Sequence, residues 1–276
     1  MKFEFTKMHG IGNDFVVIDA INQAVSLSPD MSRQIADRHF GIGCDQILIA
    51  ESPRSEDVAF RFRILNADGS EVAQCGNGAR CFARFVYEKG LVNETEFPVE
   101  TANGVMILRL KEQGNVQVNM GEPELKPTQI PFEAEREALS YTVNVAGKEL
   151  AMGVVSMGNP HAVLIVDSIA EAPVAELGPL LEAHKRFPER ANVGFMQIES
   201  PQHIRLRVFE RGAGETLACG SGACAAVVTG YLQGLLSERV KVDLPGGSLI
   251  INWKGVQTPV FLTGPTATVF EGKIEL

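Results

Sequence analysis

Two cysteines in nearly identical glycine-flanked turns are the residues of this chain best suited to chemistry. Cys75 is followed by Gly-Asn-Gly-Ala, and Cys219 is followed by Gly-Ser-Gly-Ala. Each turn leads from a strand-like segment into a helix-like one, so each thiol is expected at the positive end of a helix dipole, where thiols ionise more easily than free cysteine. Backbone N–H groups beside the glycines predict an anion site for a carboxylate or a phosphate.

Both turns belong to an internal repeat. Residues 60–91 align without a gap on residues 204–235 at a constant offset of 144, and ten of the 32 pairs are identical. At an offset of 146, amide side chains also recur, with Asn13 on Asn159 and Gln46 on Asn192. A duplicated chain of this kind predicts two domains of similar fold, each carrying one of the two thiols.

The repeat and a turn-rich stretch at 121–131 set the expected domain boundaries. We predict an N-terminal domain at 1–120 and a C-terminal domain at 121–264. The last segment, 265–276, is expected to be a strand that returns to the first domain.

The elements that must position the thiols are mostly strands. Alternating runs such as 60–65 and 204–209 have the period of two that is typical of half-buried strands. The segments 79–89 and 223–233 read as helices that end at glycine, and the second is apolar on nearly all faces, which indicates burial all round. We therefore predict a fold of the α/β (α+β) class with two pseudo-symmetric domains, each a curved, mostly antiparallel sheet wrapped around a central helix.

Facing domains of this kind would suit inversion at a carbon atom. If the domains meet about the pseudo-twofold axis that the repeat implies, the thiols approach one point from opposite sides. One thiolate then removes a proton from one face of a carbon next to a carboxylate, and the opposite thiol supplies a proton to the other face. The helix ends stabilise the charge that develops on the carboxylate.

Composition excludes several other classes of protein. The 276 residues are 45% hydrophobic and carry a net charge of -9 without a run of Lys or Arg, so we expect a globular protein with no nucleic-acid partner. No apolar stretch is long enough for a membrane span, and no membrane association is expected. Five cysteines, an odd number, indicate a reducing compartment and predict a cytoplasmic location.

Packing and metal binding are the alternative roles for these cysteines. A single cysteine after a strand is more often a packing residue, but two in matched turns reverse those odds. Zinc is disfavoured because Cys75 and Cys81, like Cys219 and Cys224, lack the usual ligand spacing, so no metal is expected. Packing is the role predicted for Cys44, Cys81 and Cys224.

At this point the residues resemble a known family, the diaminopimelate epimerases, which are cofactor-independent enzymes of bacterial lysine and cell-wall precursor synthesis. The resemblance covers the whole chain. Its motifs are Lys7-Met-His-Gly-Ile-Gly-Asn-Asp-Phe15, Asn66-Ala-Asp-Gly-Ser-Glu71, Cys75-Gly-Asn-Gly-Ala-Arg-Cys-Phe82, Met157-Gly-Asn-Pro-His161, Glu210-Arg-Gly-Ala-Gly-Glu-Thr216 and Ala218-Cys-Gly-Ser-Gly-Ala-Cys-Ala225.

The resemblance implies an isomerase that interconverts LL- and meso-diaminopimelate at one α-carbon, with Cys75 and Cys219 as the base and acid pair and no pyridoxal phosphate or other cofactor. It also implies a homodimer, for which the strand around Phe270 is a candidate interface. The substrate contacts that it implies are Asn13, Gln46, Asn66, Gly76, Asn77, Asn159, Asn192, Glu210, Arg211, Gly220 and Ser221.

Charge complementarity explains part of this set. Diaminopimelate has an ammonium and a carboxylate at each end, so Arg211 can grip the distal carboxylate and Glu210 can serve the distal ammonium. Alone, an adjacent Glu-Arg pair is usually a solvated surface pair. His161 matches a family position near the thiols, and we list it as a supporting residue. A hypothesis is that it tunes Cys219, and an unchanged pH–rate profile in His161→Ala would count against that.

The alternatives come from the same fold group and from another class of protein. A proline-racemase-like enzyme also uses two thiols, but Asn66 and the Glu210-Arg211 pair favour a substrate with a second charged end. Phenazine-biosynthesis-type relatives keep the fold but lack the paired cysteines, so the presence of Cys75 and Cys219 excludes them here. From another class, the protein could be a thiol redox switch or an amino-acid-binding module without turnover.

Overall fold

The computed structural model describes residues 1–72 and 75–276, and this part of the chain contains 18 strands and four α-helices. The helices are α1 (Pro29–Ala36), α2 (Gly76–Glu88), α3 (Val174–Glu182) and α4 (Gly220–Leu232). The first nine strands are β1 (Lys2–Gly10), β2 (Asn13–Asp19), β3 (Gln46–Glu51), β4 (Phe60–Asn66), β5 (Glu71–Val72), β6 (Glu96–Thr101), β7 (Gly104–Leu110), β8 (Asn115–Asn119) and β9 (Tyr141–Val145). The others are β10 (Lys148–Ser156), β11 (Pro160–Ile165), β12 (Asn192–Ser200), β13 (His203–Glu210), β14 (Gly214–Thr216), β15 (Arg239–Leu244), β16 (Gly247–Asn252), β17 (Phe261–Pro265) and β18 (Ala267–Glu275).

The chain forms two compact units. One consists of Met1–Asn119 together with Thr263–Leu276, and the other of Met120–Leu262. No helix among the described residues has the length and apolar character that a membrane span requires.

In the first unit, α2 is packed against a mostly antiparallel sheet. The antiparallel neighbours are β1–β2, β1–β18, β3–β4, β4–β5, β6–β7 and β7–β8, and the parallel ones are β2–β3 and β4–β6. Strands β1, β2, β3, β7 and β8 contact α2. The helix buries Phe82 against the rings of Phe62 and Phe60, with centroids 4.3 and 6.0 Å away. Truncation of a buried phenylalanine to alanine typically costs about 3–5 kcal/mol, so Phe82 contributes strongly to the packing of the helix on the sheet.

The second unit repeats this topology. Its antiparallel neighbours are β9–β10, β10–β11, β12–β13, β13–β14 and β15–β16, and its parallel ones are β11–β12 and β13–β15. Helix α4 contacts β10, β11, β12, β13 and β16. The predicted fold class, with two pseudo-symmetric domains built from mostly antiparallel sheets and a central helix, is confirmed.

Strand register explains the second offset found in the sequence. Phe15 pairs with Gln46 in β2–β3, and His161 pairs with Asn192 in β11–β12, so the two parallel pairs match residue for residue at an offset of 146. Gln46 and Asn192 therefore occupy equivalent places in the two parallel strand pairs.

The two central helices are confirmed, but they start earlier than predicted. Both begin three residues before the predicted start, at Gly76 and Gly220, because the cysteine before each glycine is the N-cap. Gly90 and Gly234 end the helices with φ of 67° and 74°, a left-handed conformation that glycine adopts without penalty. Residues 222–230 of α4 are all buried, as its apolar faces predicted.

An ion pair recurs beside each cysteine turn. Nε and Nη2 of Arg63 donate to the two carboxylate oxygens of Glu71 at 3.2 and 3.0 Å. The same two atoms of Arg207 donate to the carboxylate of Glu215 at 2.6 and 2.8 Å. These four residues are identical pairs of the repeat. Each pair holds the short hairpin strand, β5 or β14, against the strand before it, so these repeat identities stabilise the approach to each turn.

Candidate active site

Cys75 is placed by the start of α2. As the N-cap it has extended backbone, and its Sγ accepts the N–H of Gly78 at 3.3 Å. A Cβ on Gly78 would lie 3.5 Å from that sulfur and 3.0 Å from Leu48, so glycine keeps the pocket of the sulfur open. The first intrahelical hydrogen bond of α2 runs from the N–H of Ala79 to the carbonyl of Cys75 at 2.8 Å. The N–H groups of Gly76 and Asn77 belong to residues that precede Ala79 in the first turn of the helix.

Two amides complete the surroundings of this thiol. The carboxamide oxygen of Asn13 accepts hydrogen bonds from the Cys75 thiol at 3.9 Å and from Asn77 Nδ2 at 3.2 Å. The Asn13 amide nitrogen donates to Asp45 Oδ2 at 2.8 Å, which fixes the orientation of the amide. Three predicted site residues, Asn13, Cys75 and Asn77, thus form one hydrogen-bonded cluster.

Asp45 belongs to a charged network that was not predicted from the sequence. Arg38 bridges Asp14 and Asp45 at 2.8 Å each, and Lys7 reaches Asp14 at 2.5 Å. Burial acts to raise the pKa of Asp14, but hydrogen bonds from Arg38 and Lys7 hold it well below its usual range. Lys7 and Asp14 were visible in the first family motif, and their opposite charges were the signal that could have revealed the network.

Gln46 and Asn66 form a second group of this unit. They face each other across β3 and β4, and Gln46 Nε2 donates to Asn66 Oδ1 at 3.0 Å. Asn66 Nδ2 donates to Ser70 Oγ at 3.1 Å. Gln46 Oε1 is buried and accepts no hydrogen bond from the described part of the chain, so one acceptor in this pair has capacity for a further donor.

Cys219 is the N-cap of α4 and is only 3% exposed. Its Sγ accepts the N–H of Gly222 at 3.3 Å and lies 3.6 Å from Ser221 Oγ. Burial, followed by the adjacent Glu210 carboxylate, raises the pKa of this thiol well above its ordinary value. The expectation that the helix dipole makes both thiols ionise easily is therefore wrong for Cys219, because desolvation and a neighbouring negative charge outweigh the dipole.

Glu210 is held beside this thiol by Thr216. Thr216 Oγ1 donates to Glu210 Oε1 at 2.5 Å across β13 and β14. Glu210 was assigned to the distal ammonium of a substrate, and in the structure it also lies next to Cys219. The role of Thr216 was missed, although it ends the quoted motif that begins at Glu210.

Arg211 and Asn192 are linked through the backbone. Asn192 Oδ1 accepts the N–H of Arg211 at 2.9 Å, and Asn192 Nδ2 donates to the carbonyl of Pro160 at 3.2 Å. The Arg211 guanidinium donates from Nη1 to the carbonyl of Glu189 at 3.0 Å. The buried Asn192 therefore positions the start of the turn that carries Arg211.

His161 is fully buried and hydrogen bonds through Nε2 to Asn159 Oδ1 at 3.0 Å. Burial, and secondarily the charge of Arg211, lower its pKa to about 3, so the ring is neutral near pH 7. His161 thus orients Asn159 as an uncharged group.

Gly220 and Ser221 form the first turn of α4.

The other cysteines are packing residues in the structure, as predicted. Cys44, Cys81 and Cys224 are at most 2% exposed. Burial raises the pKa of Cys44 and of Cys81 to about 12, so both thiols stay protonated at neutral pH. None of the five cysteines, all within the described residues, is paired in a disulfide. Within residues 1–72 and 75–276, no three His, Cys, Asp or Glu side chains are grouped so as to hold a metal ion.

Solved structures define the class to which this fold belongs. A phenazine biosynthesis protein of the PhzF family from Bacillus anthracis superposes with a TM-score of 0.72 at 17% identity, covering 100% of both chains. A hydroxyproline epimerase from Agrobacterium vitis, solved with bound trans-4-hydroxy-L-proline, gives a TM-score of 0.72 at 16% identity over 99% of this chain and 92% of its own. The fold is that of the PhzF and proline-racemase-like epimerases.

Sequence comparison identifies the family within that class. The family model described as diaminopimelate epimerase matches residues 5–126 and 153–269. A diaminopimelate epimerase from Thioalkalivibrio sulfidiphilus is 62% identical over 278 residues, covering 100% of both chains. The chain belongs to the diaminopimelate epimerase family and is an isomerase.

Proposed function

We propose that this protein interconverts LL- and meso-diaminopimelate, in lysine and peptidoglycan precursor synthesis, by proton transfer at one α-carbon without pyridoxal phosphate. The observation that carries the proposal is the pair of thiols, Cys75 and Cys219, each the N-cap of the central helix of its unit in a chain of this family. Inversion requires an acid and a base that reach opposite faces of one carbon, and a duplicated chain supplies one on each copy.

In the proposed reaction, a thiolate removes the α-proton and the other thiol donates a proton to the opposite face. Burial and the neighbouring Glu210 carboxylate raise the pKa of Cys219, which favours its role as the proton donor. Negative charge develops on the α-carboxylate during the reaction. The backbone N–H groups of Gly76-Asn77 and Gly220-Ser221, at the positive ends of α2 and α4, stabilise it.

The remaining polar residues recognise the substrate in this proposal. Arg211 grips the distal carboxylate, and Glu210 serves an ammonium. Gln46 Oε1, a buried acceptor with spare capacity, suits an N–H donor of the substrate. Asn192 already bonds two backbone groups, so a substrate contact there requires exchange of one of them. The neutral amides of the set are Asn13, Asn66, Asn77, Asn159 and Asn192, with His161 in support.

The decisive experiment is incubation with LL-diaminopimelate in deuterated water under reducing conditions. We expect meso isomer to form and deuterium to enter at an α-carbon. Absence of both would refute the epimerase proposal and favour a redox or binding protein. L-Proline serves as the control substrate, and exchange on proline rather than diaminopimelate would favour a proline-racemase-like activity.

Single cysteine variants test the two-base mechanism. Cys75→Ala and Cys219→Ala are each expected to lower kcat by about a thousandfold or more, since loss of a positioned acid or base typically costs 10²–10⁴-fold. Both should keep the wild-type circular dichroism spectrum. Substantial epimerisation by either variant would contradict the assignment of two thiols.

For the assembly we propose a homodimer formed through β18. Residues 268–271 of this strand are exposed and include Val269 (56%) and Phe270 (46%), an apolar pair that a second copy could cover. Phe270→Lys is expected to yield monomer in sedimentation velocity, whereas Val256→Lys, at an exposed site of the other unit, should not. A wild-type monomer at micromolar concentration would overturn this proposal.

The proposed setting is the cytoplasm, with the small-molecule substrate as partner and no nucleic acid or membrane. Catalysis by two thiols requires a reducing compartment, in which disulfides are rare. Oxidation of either catalytic thiol would remove the acid or base that inversion needs.

A further inference from the structure

Glu182 is a buried carboxylate for which the proposed reaction has no direct use. It is the last residue of α3 and is 5% exposed. Glutamate is almost never buried this deeply unless it is paired, because taking a charge out of water costs several kcal/mol. The partners of Glu182 therefore indicate what the residue does.

One of those partners lies on the turn that follows Arg211, and two lie on the segment before β12. Glu182 Oε1 accepts the backbone N–H of Gly212 at 3.2 Å and a hydrogen bond from Arg190 Nη1 at 3.1 Å. The carbonyl of Glu182 also accepts the N–H of Ala191 at 3.0 Å. One buried side chain thus connects the end of α3 to the segment before β12 and to the turn after β13.

Three acceptors from a single stretch of chain hold Arg211. Its own N–H is bound by Asn192, the next N–H by Glu182, and its guanidinium by the carbonyl of Glu189. All three acceptors lie within residues 182–192. The position of the Arg211 side chain is therefore set by this stretch, to which Glu182 supplies the buried charge.

We propose that Glu182 is a positioning residue for Arg211 and thereby sets the preference of the enzyme for a substrate with a second carboxylate. The inference rests on the proposed function, in which Arg211 binds that carboxylate. A guanidinium grips a carboxylate through two parallel hydrogen bonds only when its plane is correctly oriented. Anchoring the backbone on both sides of Arg211 lowers the entropy lost when the long side chain is ordered.

The test compares Glu182→Ala with Glu182→Gln by steady-state kinetics. Alanine removes the acceptor for Gly212, and we expect KM for LL-diaminopimelate to rise about tenfold with kcat within about twofold, as for loss of uniform binding. Glutamine keeps an oxygen at the same place, so KM should stay within about threefold of wild type. Glu176→Ala, at an exposed position of the same helix, is the matched control.

A double-mutant cycle separates positioning from general disruption. In an Arg211→Ala background, the Glu182→Ala change should raise KM no further, because the group that it positions is already gone. If Glu182→Ala does not fold, Glu182→Leu, which fills the space without an acceptor, takes its place in the same cycle.

Three results would overturn the inference. They are a KM unchanged in a folded Glu182→Ala or Glu182→Leu protein, an increase in KM that persists in the Arg211→Ala background, and a fall in kcat alone. Failure of the proposed function would look different, because the wild-type protein would then show no epimerisation of diaminopimelate.

Discussion

At the scale of single residues, the surroundings of each thiol separate the five cysteines. Cys75 and Cys219 cap helices and contact polar groups, whereas Cys44 and Cys81 are enclosed by apolar packing that raises the pKa of each to about 12. Cys219 is also buried and its pKa is also raised, so what separates it from Cys44 and Cys81 is its place at the start of a helix, beside Ser221 and Glu210. The surroundings of each thiol, rather than the cysteine side chain itself, therefore decide whether it is assigned to chemistry or to packing.

Substitution of the packing cysteines is expected to affect stability rather than activity. Cys44→Ala and Cys81→Ala should each retain kcat within about twofold and lower the free energy of unfolding by about 1 kcal/mol, because a buried sulfur atom is removed. Urea denaturation and the epimerase assay measure the two quantities. A hundredfold loss of kcat in either folded variant would contradict the division of the cysteines.

Asp243 provides a pH-dependent stability contribution away from the candidate site. Burial acts to raise its pKa, but hydrogen bonds with Ser248, Lys241 and His203 lower it to about 2 from the ordinary value of 3.8. A lowered folded-state pKa means that the ionised form stabilises the fold above about pH 4, and that this contribution is lost as pH falls through about 2. It tethers β15 to β13, since His203 is on β13.

We therefore expect Asp243→Asn to lower the urea midpoint at pH 7 and the difference from wild type to shrink between pH 4 and pH 2. The measurement is a series of urea titrations at pH 7, 4, 3 and 2.5. A difference that is constant across this series, or one that grows toward low pH, would show that the carboxylate charge is not responsible. Asp57→Asn, at an exposed loop position, is the control.

At the scale of elements, the strand–turn–helix around each cysteine is the unit that was duplicated. The matched ion pairs at Glu71 and Glu215 fix the hairpin before the turn, and the glycine three residues after each cysteine leaves room for the sulfur. In α4 this fit is tight. A Cβ on Gly222 would lie 3.1 Å from the Cys219 sulfur and 3.0 Å from Val208.

Gly222→Ala should therefore displace the thiol while leaving the helix intact. We expect kcat to fall at least about tenfold, although the substitution itself favours helix by up to about 1 kcal/mol. Gly234→Ala, at the left-handed end of the same helix, is the opposite case and should cost about 1 kcal/mol of stability without loss of kcat. Equal kinetic effects from both variants would indicate that the turn around Cys219 is not sensitive to volume.

At the scale of the whole molecule, the chain begins and ends in the same unit. Strand β18 pairs with β1 from Lys2 opposite Glu275 to His9 opposite Ala267. The N–H of Leu276 donates to the carbonyl of Met1 at 2.9 Å, and Phe270 packs edge-on against Phe5 with ring centroids 5.9 Å apart. The last strand therefore pairs with the first along its length, although about 250 residues separate them in the sequence.

Removal of residues 267–276 is expected to destabilise the first unit strongly. The deletion leaves the hydrogen-bonding edge of β1 unpaired and exposes Phe5, so we expect Tm to fall by more than 10 °C, given about 4–8 °C per kcal/mol in a small domain. Calorimetry of the truncated and full-length chains measures this. Phe270→Lys, which keeps the strand, controls for loss of the proposed dimer, and an unchanged Tm on truncation would contradict the structural role of β18.

Much of the candidate site was predictable because its signals are local. The N-cap cysteines, the glycines that end α2 and α4, and the recurring amides can be read from spacing, since helix and strand geometry relate neighbouring residues in a regular way. Asp45, Thr216 and Glu182 escaped prediction. Each acts on a residue through a contact that no periodicity encodes, and in the case of Glu182 that contact spans 30 positions of the sequence.

The sequence by itself determined the duplication, the two thiols in matched turns, the mostly antiparallel fold with central helices, and the family. These properties depend on residue type and order alone. Only the tertiary structure decided that burial and Glu210 raise the pKa of Cys219, that Asp45 orients Asn13, and that Glu182 holds the turn beyond Arg211. The physical reason is that pKa values and side-chain orientation depend on burial and on charges brought together from distant parts of the chain, which exist only once it has folded.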